Sequence, residues 1–238
     1  MLAVIDCRAP QSVCRALREQ NFEILPLPPH PALQKPVASH PDMLLFFASD
    51  RIFCTKSYLA IAKNELTRLS DVIRRPIQAI ESELSESYPH DVLLNAAAVG
   101  NHLIAHPRAI ARELQMHPSY SLVPTKQGYS KCSVVSVSQN AIITSDPSIE
   151  EAAKQAGIDV LRVSPAPIAL KGYDSGFLGG ATSCSPYRDV DFIFFCGDWR
   201  THPDAEAIED FCKKHHKTPI ALGDEPLADL GTVFLLFE

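Results

Sequence analysis

Along this 238-residue chain, two short apolar runs separated by a few polar or small residues recur again and again, and each such pair reads as a β-hairpin. The copies are DMLLFFASDRIFCT from Asp42, DVLLNAAAVGNHLIAH from Asp91 and CSVVSVSQNAIITSD from Cys132. A fourth, GFLGGATSCSPYRDVDFIFFCGD from Gly176, carries a longer turn, and GTVFLLFE at the carboxyl end is half a hairpin. The missing half is expected at the other end, where MLAVIDC is a strand with no partner before it. Pairing the two would leave no bare sheet edge. The expected inner hairpins are therefore 42–55, 91–106, 132–146, 176–198, and 230–238 together with 1–7.

The connections repeat as well. RAPQSVCRALREQ, HPRAIARELQ, SDPSIEEAAKQAG and HPDAEAIEDFCKKHHK each open on a polar or proline-containing start and continue as helix. In SDPSIEEAAKQAG, Ser145 or Asp146 is placed to cap, Glu150 and Glu151 sit in the positive first turn, and Gly157 closes the helix. Short strands ending near proline follow: FEILPLP, YSLVP, IDVLRVSP and TPIALGDEP. The second unit, NELTRLSDVIRRPIQAIESELSE, offers helix but no evident strand. Five helix–strand–hairpin units spaced about 40–55 residues apart predict one α/β domain over 1–238, a five-bladed α/β propeller closed by its terminal strands. An open parallel sheet would need crossovers in place of repeated tight hairpins.

Composition narrows the function classes. Against 28 acidic residues there are 22 basic ones, a net charge of −6 without a basic block, which argues against nucleic acid and anionic membrane as partners. The seven scattered cysteines form no C-x-x-C pair and read as reduced thiols. MLAVIDCRAP lacks the basic flank and apolar stretch of a signal peptide, and no run approaches the ~18 apolar residues of a membrane span. A cytoplasmic protein is expected.

The repeat pattern over the whole chain resembles the pentein fold of arginine deiminases, dimethylarginine dimethylaminohydrolases and amidinotransferases. At the level of residues, GYSKCSVV (Gly128–Val135) is similar to the signature in which a catalytic cysteine follows a glycine at the start of an inner hairpin strand. LLNAAAVGNHLIA (Leu93–Ala105) resembles the preceding hairpin of those enzymes. GYSKCS, TSDPSI and KGYDSGFLGGA together also resemble an uncharacterised bacterial family of pentein-like proteins. The chain departs from the enzymes in two ways: the cysteine lies in the third repeat, and Asp91, preceded by His90, stands where they carry a histidine.

If the repeats are equivalent, the starts of the inner strands should converge on one end of the axis, bringing Asp42, Asp91, Asp174 and Asp229 around Cys132. Carboxylates in that arrangement suit a small cation such as a guanidinium, whose planar N–H groups match carboxylate oxygens in pairs; a hard metal cation is the other ligand such oxygens accept. The resemblance implies a hydrolase or transferase in which Cys132 attacks a guanidine or amidine carbon through a thiouronium intermediate. His90 would shuttle the proton, Asp91 or Asp174 would orient the substrate nitrogens, and Asn95 and Tyr173 would add polar contacts. Lys131 should point to the opposite face of a regular strand. Gly172, Gly176, Gly179 and Gly180 predict close packing near the axis with room left for a ligand. No cofactor is expected, and no metal site, since His215 and His216 lie about 100° apart on a helix. The alternative is a non-catalytic pentein that binds a small cation or a macromolecule, with Cys132 as packing.

Overall fold

The computed structural model describes residues 1–237. Its strands form five small sheets, four of them built on the same plan. An antiparallel hairpin is followed by a helical connection and a strand that pairs parallel to the second hairpin strand. Val135–Ser138 and Ala141–Thr144 make one hairpin; helix Pro147–Gln155 then leads to Asp159–Arg162, parallel to Ala141–Thr144. The same plan gives Ala97–Val99, His102–Ala105 and Ser121–Pro124, and again Phe46–Phe47, Ile52–Thr55 and Ile77–Ile80. In the terminal sheet, Leu2–Asp6 pairs antiparallel with Val233–Leu236, Leu2 opposite Leu236, and parallel with Glu23–Leu27. The two ends of the chain thus complete one hairpin, as the bare first strand requires. Glu238, the last residue of the expected final strand, lies outside the described residues.

Sheets of two to four strands are too small to stand alone, and the helices join them. Helix Pro147–Gln155, capped by Asp146 through the backbone N–H groups of Ser148 and Ile149, buries Ile149 and Ala153 in one cluster with Ile142 of its own sheet and Val123 of the sheet before it. Helix Gln11–Glu19 does the same with Val13 and Leu17 against Phe194 and Leu222. Helix Ala205–Lys214 places Ile208 and Phe211 with Val135 and Ile143. Among the described residues no helix is long and apolar enough to cross a membrane.

Three expectations need correction. The second unit does contain a strand, Ile77–Ile80, once helix Lys63–Ile73 ends at Arg74 in the left-handed conformation. Three of its four residues are half-buried and only Ile80 is fully buried, so with a glutamine in the middle it gives almost no period-2 signal. The fourth hairpin survives only as a single bridge, Thr182 to Phe195, and Ser183–Cys184 joins the terminal sheet instead, parallel to Val233–Leu236. There the Ser183 hydroxyl accepts the Phe194 N–H that a ladder would give to a carbonyl. Finally, residues 42 and 132 do not open strands: each lies in a single helical turn, Pro41–Leu44 and Ser130–Ser133, that precedes the first hairpin strand.

Candidate functional site

These two turns bring the thiol and its carboxylate together, and Asn95 ties them to each other. The Asn95 Oδ1 accepts the otherwise free backbone N–H groups of Lys131 (2.8 Å) and Cys132 (3.2 Å). Its Nδ2 points back to the Asp42 carbonyl (3.2 Å) and to the Cys132 Sγ (3.0 Å). One amide, fully buried, therefore fixes three repeats around a point. There the Cys132 Sγ donates to Asp42 Oδ2 at 3.3 Å, and the Thr232 hydroxyl donates to the same oxygen at 2.9 Å. The Lys131 ammonium, 4% exposed, donates to the Thr232 oxygen at 3.1 Å and to the Val134 carbonyl at 3.3 Å.

A second carboxylate lies beside this group. Asp229 accepts from the backbone N–H of Phe177 (2.8 Å) and of Gly231 (2.9 Å). The buried His40 ring has its Nδ1 3.8 Å from Asp229 and its Nε2 3.8 Å from Asp6, both beyond hydrogen-bond reach. Asp6 is held by the backbone N–H and Nε of Arg8. Three buried polar atoms of the region have no partner among the described residues: Asp42 Oδ1, His40 Nδ1 and Asp91 Oδ1.

Electrostatics follow from burial. The Cys132 thiol is pushed well above its ordinary range by desolvation first and by Asp42 and Asp229 second, so at rest it is protonated and not a nucleophile. Burial also raises both carboxylates, opposed by Lys131 at Asp42 and by His40 at Asp229. It lowers His40, against the pull of Asp229 and Asp6. Among the described residues no three His, Cys, Asp or Glu side chains are placed to hold one metal ion.

Backbone fills the space expected for a ligand. The stretch Gly176–Gly180 lies on the site, with the Gly180 N–H donating to the Cys132 carbonyl at 2.9 Å. A Cβ on Gly180 would stand 2.0 Å from Asp229 Oδ1, and one on Gly179 would stand 2.5 Å from the Cys132 carbonyl oxygen. Phe177 stacks on Tyr129 with ring centroids 5.8 Å apart. The glycines thus allow a close cover, and the thiol is 3% exposed beneath it.

Of the residues the sequence singles out, Cys132, Asp42, Asp229 and Asn95 converge. The others do not. Asp91 is one side chain removed, its Oδ2 accepting from the Tyr129 hydroxyl. His90 is exposed in the turn before it, away from the buried thiol. Asp174 is exposed on the covering segment, and Tyr173, 44% exposed, reaches Gln34 instead. Lys131 does not turn away from the thiol's surroundings: on a helical turn neighbouring residues are about 100° apart, not 180°, and its ammonium meets Thr232 on the same carboxylate. Sequence reasoning missed His40, Asp6 and Thr232. The spacing His40-x-Asp42, at the start of an inner turn, was the only signal for the histidine.

A family model matches residues 4–234, and its family is DUF6873, a family of unknown function. The chain belongs to this family. Comparison of the DUF6873 chain with curated protein sequences finds no match. Among solved structures it is similar to agmatine deiminase from C. jejuni, with a TM-score of 0.55 and 10% identity over 93% of this chain and 86% of that one. The same deiminase with substrate bound gives 0.55 and 9% identity, over 96% and 91%. A dimethylarginine dimethylaminohydrolase variant in adduct with S-methyl-L-thiocitrulline gives 0.51 and 12% identity, over 92% and 91%. At such identities the likeness establishes the fold, and the DUF6873 chain has the α/β fold of the pentein superfamily.

Proposed function

We propose that this DUF6873 protein is a cysteine-dependent hydrolase or transferase acting on a guanidine or amidine compound. One observation carries the reading: beside the Cys132 thiol, the buried Asp42 carboxylate keeps an oxygen, Oδ1, that has no hydrogen-bond partner among the described residues. A buried acceptor without a donor is costly, and a planar N–H cation supplies donors and charge together. The same cation favours ionisation of the thiol, which the carboxylates alone oppose. The thiolate carbon–sulfur bond then forms at the guanidine carbon while an amine leaves carrying the thiol proton, giving a thiouronium. Water, or a second amine, displaces the sulfur and returns a proton to it. His40, neutral and held near Asp229, is the proton carrier in place of His90. In the same reading the five sheets are blades of a propeller, with the thiol at one end of its axis; a cavity lined from all five sheets supports this.

The test compares a cationic haloacetamidine with neutral iodoacetamide on the native protein, the adduct being located by mass spectrometry. Cys132 is expected to react with the amidine and to resist iodoacetamide. If Cys132 is labelled only after denaturation, the catalytic reading fails. The second reading, a non-catalytic binder of small cations, is favoured by the protonated, hydrogen-bonded thiol; it would show amidines protecting the fold without any adduct.

A further inference from the structure

The cavity of about 380 Å³ between the sheets is lined by Phe46, Ala98, Ser136, Cys184, Phe192 and Phe234 from their strands, but not by Cys132. Its charged lining residues are Arg75, Lys131, Arg188 and Lys217 against one carboxylate, Asp189. That is an excess of positive charge in a chain whose net charge is −6. Lys217 is spoken for, since its ammonium binds Asp189 and the Val190 carbonyl. Lys131 is engaged with Thr232 on the Asp42 side.

Arg75 is different. Its guanidinium lies over the Tyr187 ring, 4.0 Å from the centroid, and its Nε donates to the Ser49 carbonyl at 3.1 Å. These two contacts set the plane of the group and leave both terminal nitrogens without a hydrogen-bond partner among the described residues. A fixed guanidinium with a free N–H edge is pre-organised for two parallel bonds to an oxyanion, and little side-chain entropy remains to be lost on binding. The hydroxyls of Ser136 and Ser185, which also line the cavity, are buried without partners and supply further donors by rotation about one bond.

We propose that this cavity is a binding site for a small oxyanion, a carboxylate or a phosphate, recognised by Arg75 with Arg188 and the serine hydroxyls. It stands independently of any chemistry at Cys132. Because Lys131 lines the cavity and also meets Thr232 on Asp42, an anion in the cavity sits one side chain from the thiol site.

Isothermal titration of the full chain with inorganic phosphate and, separately, with malonate, at constant ionic strength and with chloride as the control, distinguishes the two sources. Saturable binding of one of them below about 10 mM is expected, weakened at least about tenfold in Arg75→Ala. Arg75→Lys keeps the charge and loses the fork, so it should fall nearly as far, and it serves if the alanine variant does not fold. No saturable binding of either anion to the wild-type chain overturns the proposal, as does a smaller loss of affinity in the folded variant.

Discussion

A thiol enclosed by carboxylates keeps its proton, and at Cys132 burial, Asp42 and Asp229 all act in that direction. His40, the neighbouring base, responds to the same burial with the opposite charge bookkeeping. Its folded value is depressed below the ordinary 6.5, so the unfolded chain takes up the proton first. The stability His40 contributes is then fully present above 6.5, where both states are neutral, and is lost as the pH falls from there to the folded value. In His40→Gln the fall in Tm between about pH 7.5 and about pH 5.5 should be shallower than in the wild type. The slope should shrink and not vanish, because burial lowers His30 and His202 too. Equal slopes would mean that burial does not shift His40 from its unfolded value. At this scale the sequence reveals what a repeat position reveals: Asp42 and Cys132 occupy corresponding helical turns and meet, and Asp229 lies beside them. It hides what reaches the site from elsewhere. Asp6 arrives from the end of the first strand, and Thr232 from a left-handed residue that nothing in GTVFLLFE announces.

Between residue and molecule, the decisive element is the glycine-rich stretch over the thiol. Gly176–Gly180 has no helix or strand, so its placement rests on hydrogen bonds to its surroundings, among them Phe177 N–H to Asp229, Gly180 N–H to the Cys132 carbonyl, and the Gly180 carbonyl from Leu230 and Thr232, and on the absence of side chains. Gly180→Ala would push a methyl into Asp229 Oδ1, 2.0 Å away, and the cover or the carboxylate must shift. A loss of about 1–3 kcal/mol in denaturant unfolding is expected, together with faster alkylation of Cys132 by iodoacetamide in the native state. Unchanged alkylation alongside lost stability would show that this stretch does not control access. Glycines in KGYDSGFLGGA signal close approach, and that much is legible; what approaches is not, since Asp229 lies some fifty residues further on. The helical turns that replace the expected strand starts were hidden for a similar reason: four residues such as SKCS carry too few positions to separate a period of 3.6 from one of 2.

For the molecule as a whole, the hairpin between Leu2–Asp6 and Val233–Leu236 removes any topological meaning from where the chain begins. This was legible because an unpaired apolar strand at each end is a liability that pairing resolves. Joining the ends by a short linker and opening the chain between the exposed Glu86 and Ser87 should give a permuted protein that unfolds cooperatively, with a Tm close to the wild type's. The same opening within Ile52–Thr55, a strand paired on both sides, should not fold. Failure of the first permutant would show that the existing termini matter for more than their pairing. The same hairpin also sets a timetable. Val233–Leu236 lies between Ser183–Cys184 and Leu2–Asp6, so the first strand can pair early with Glu23–Leu27, but its antiparallel side waits for Val233–Leu236. Pairing across so long a stretch of chain is slow to form, and the antiparallel side of Leu2–Asp6 stays open until it does.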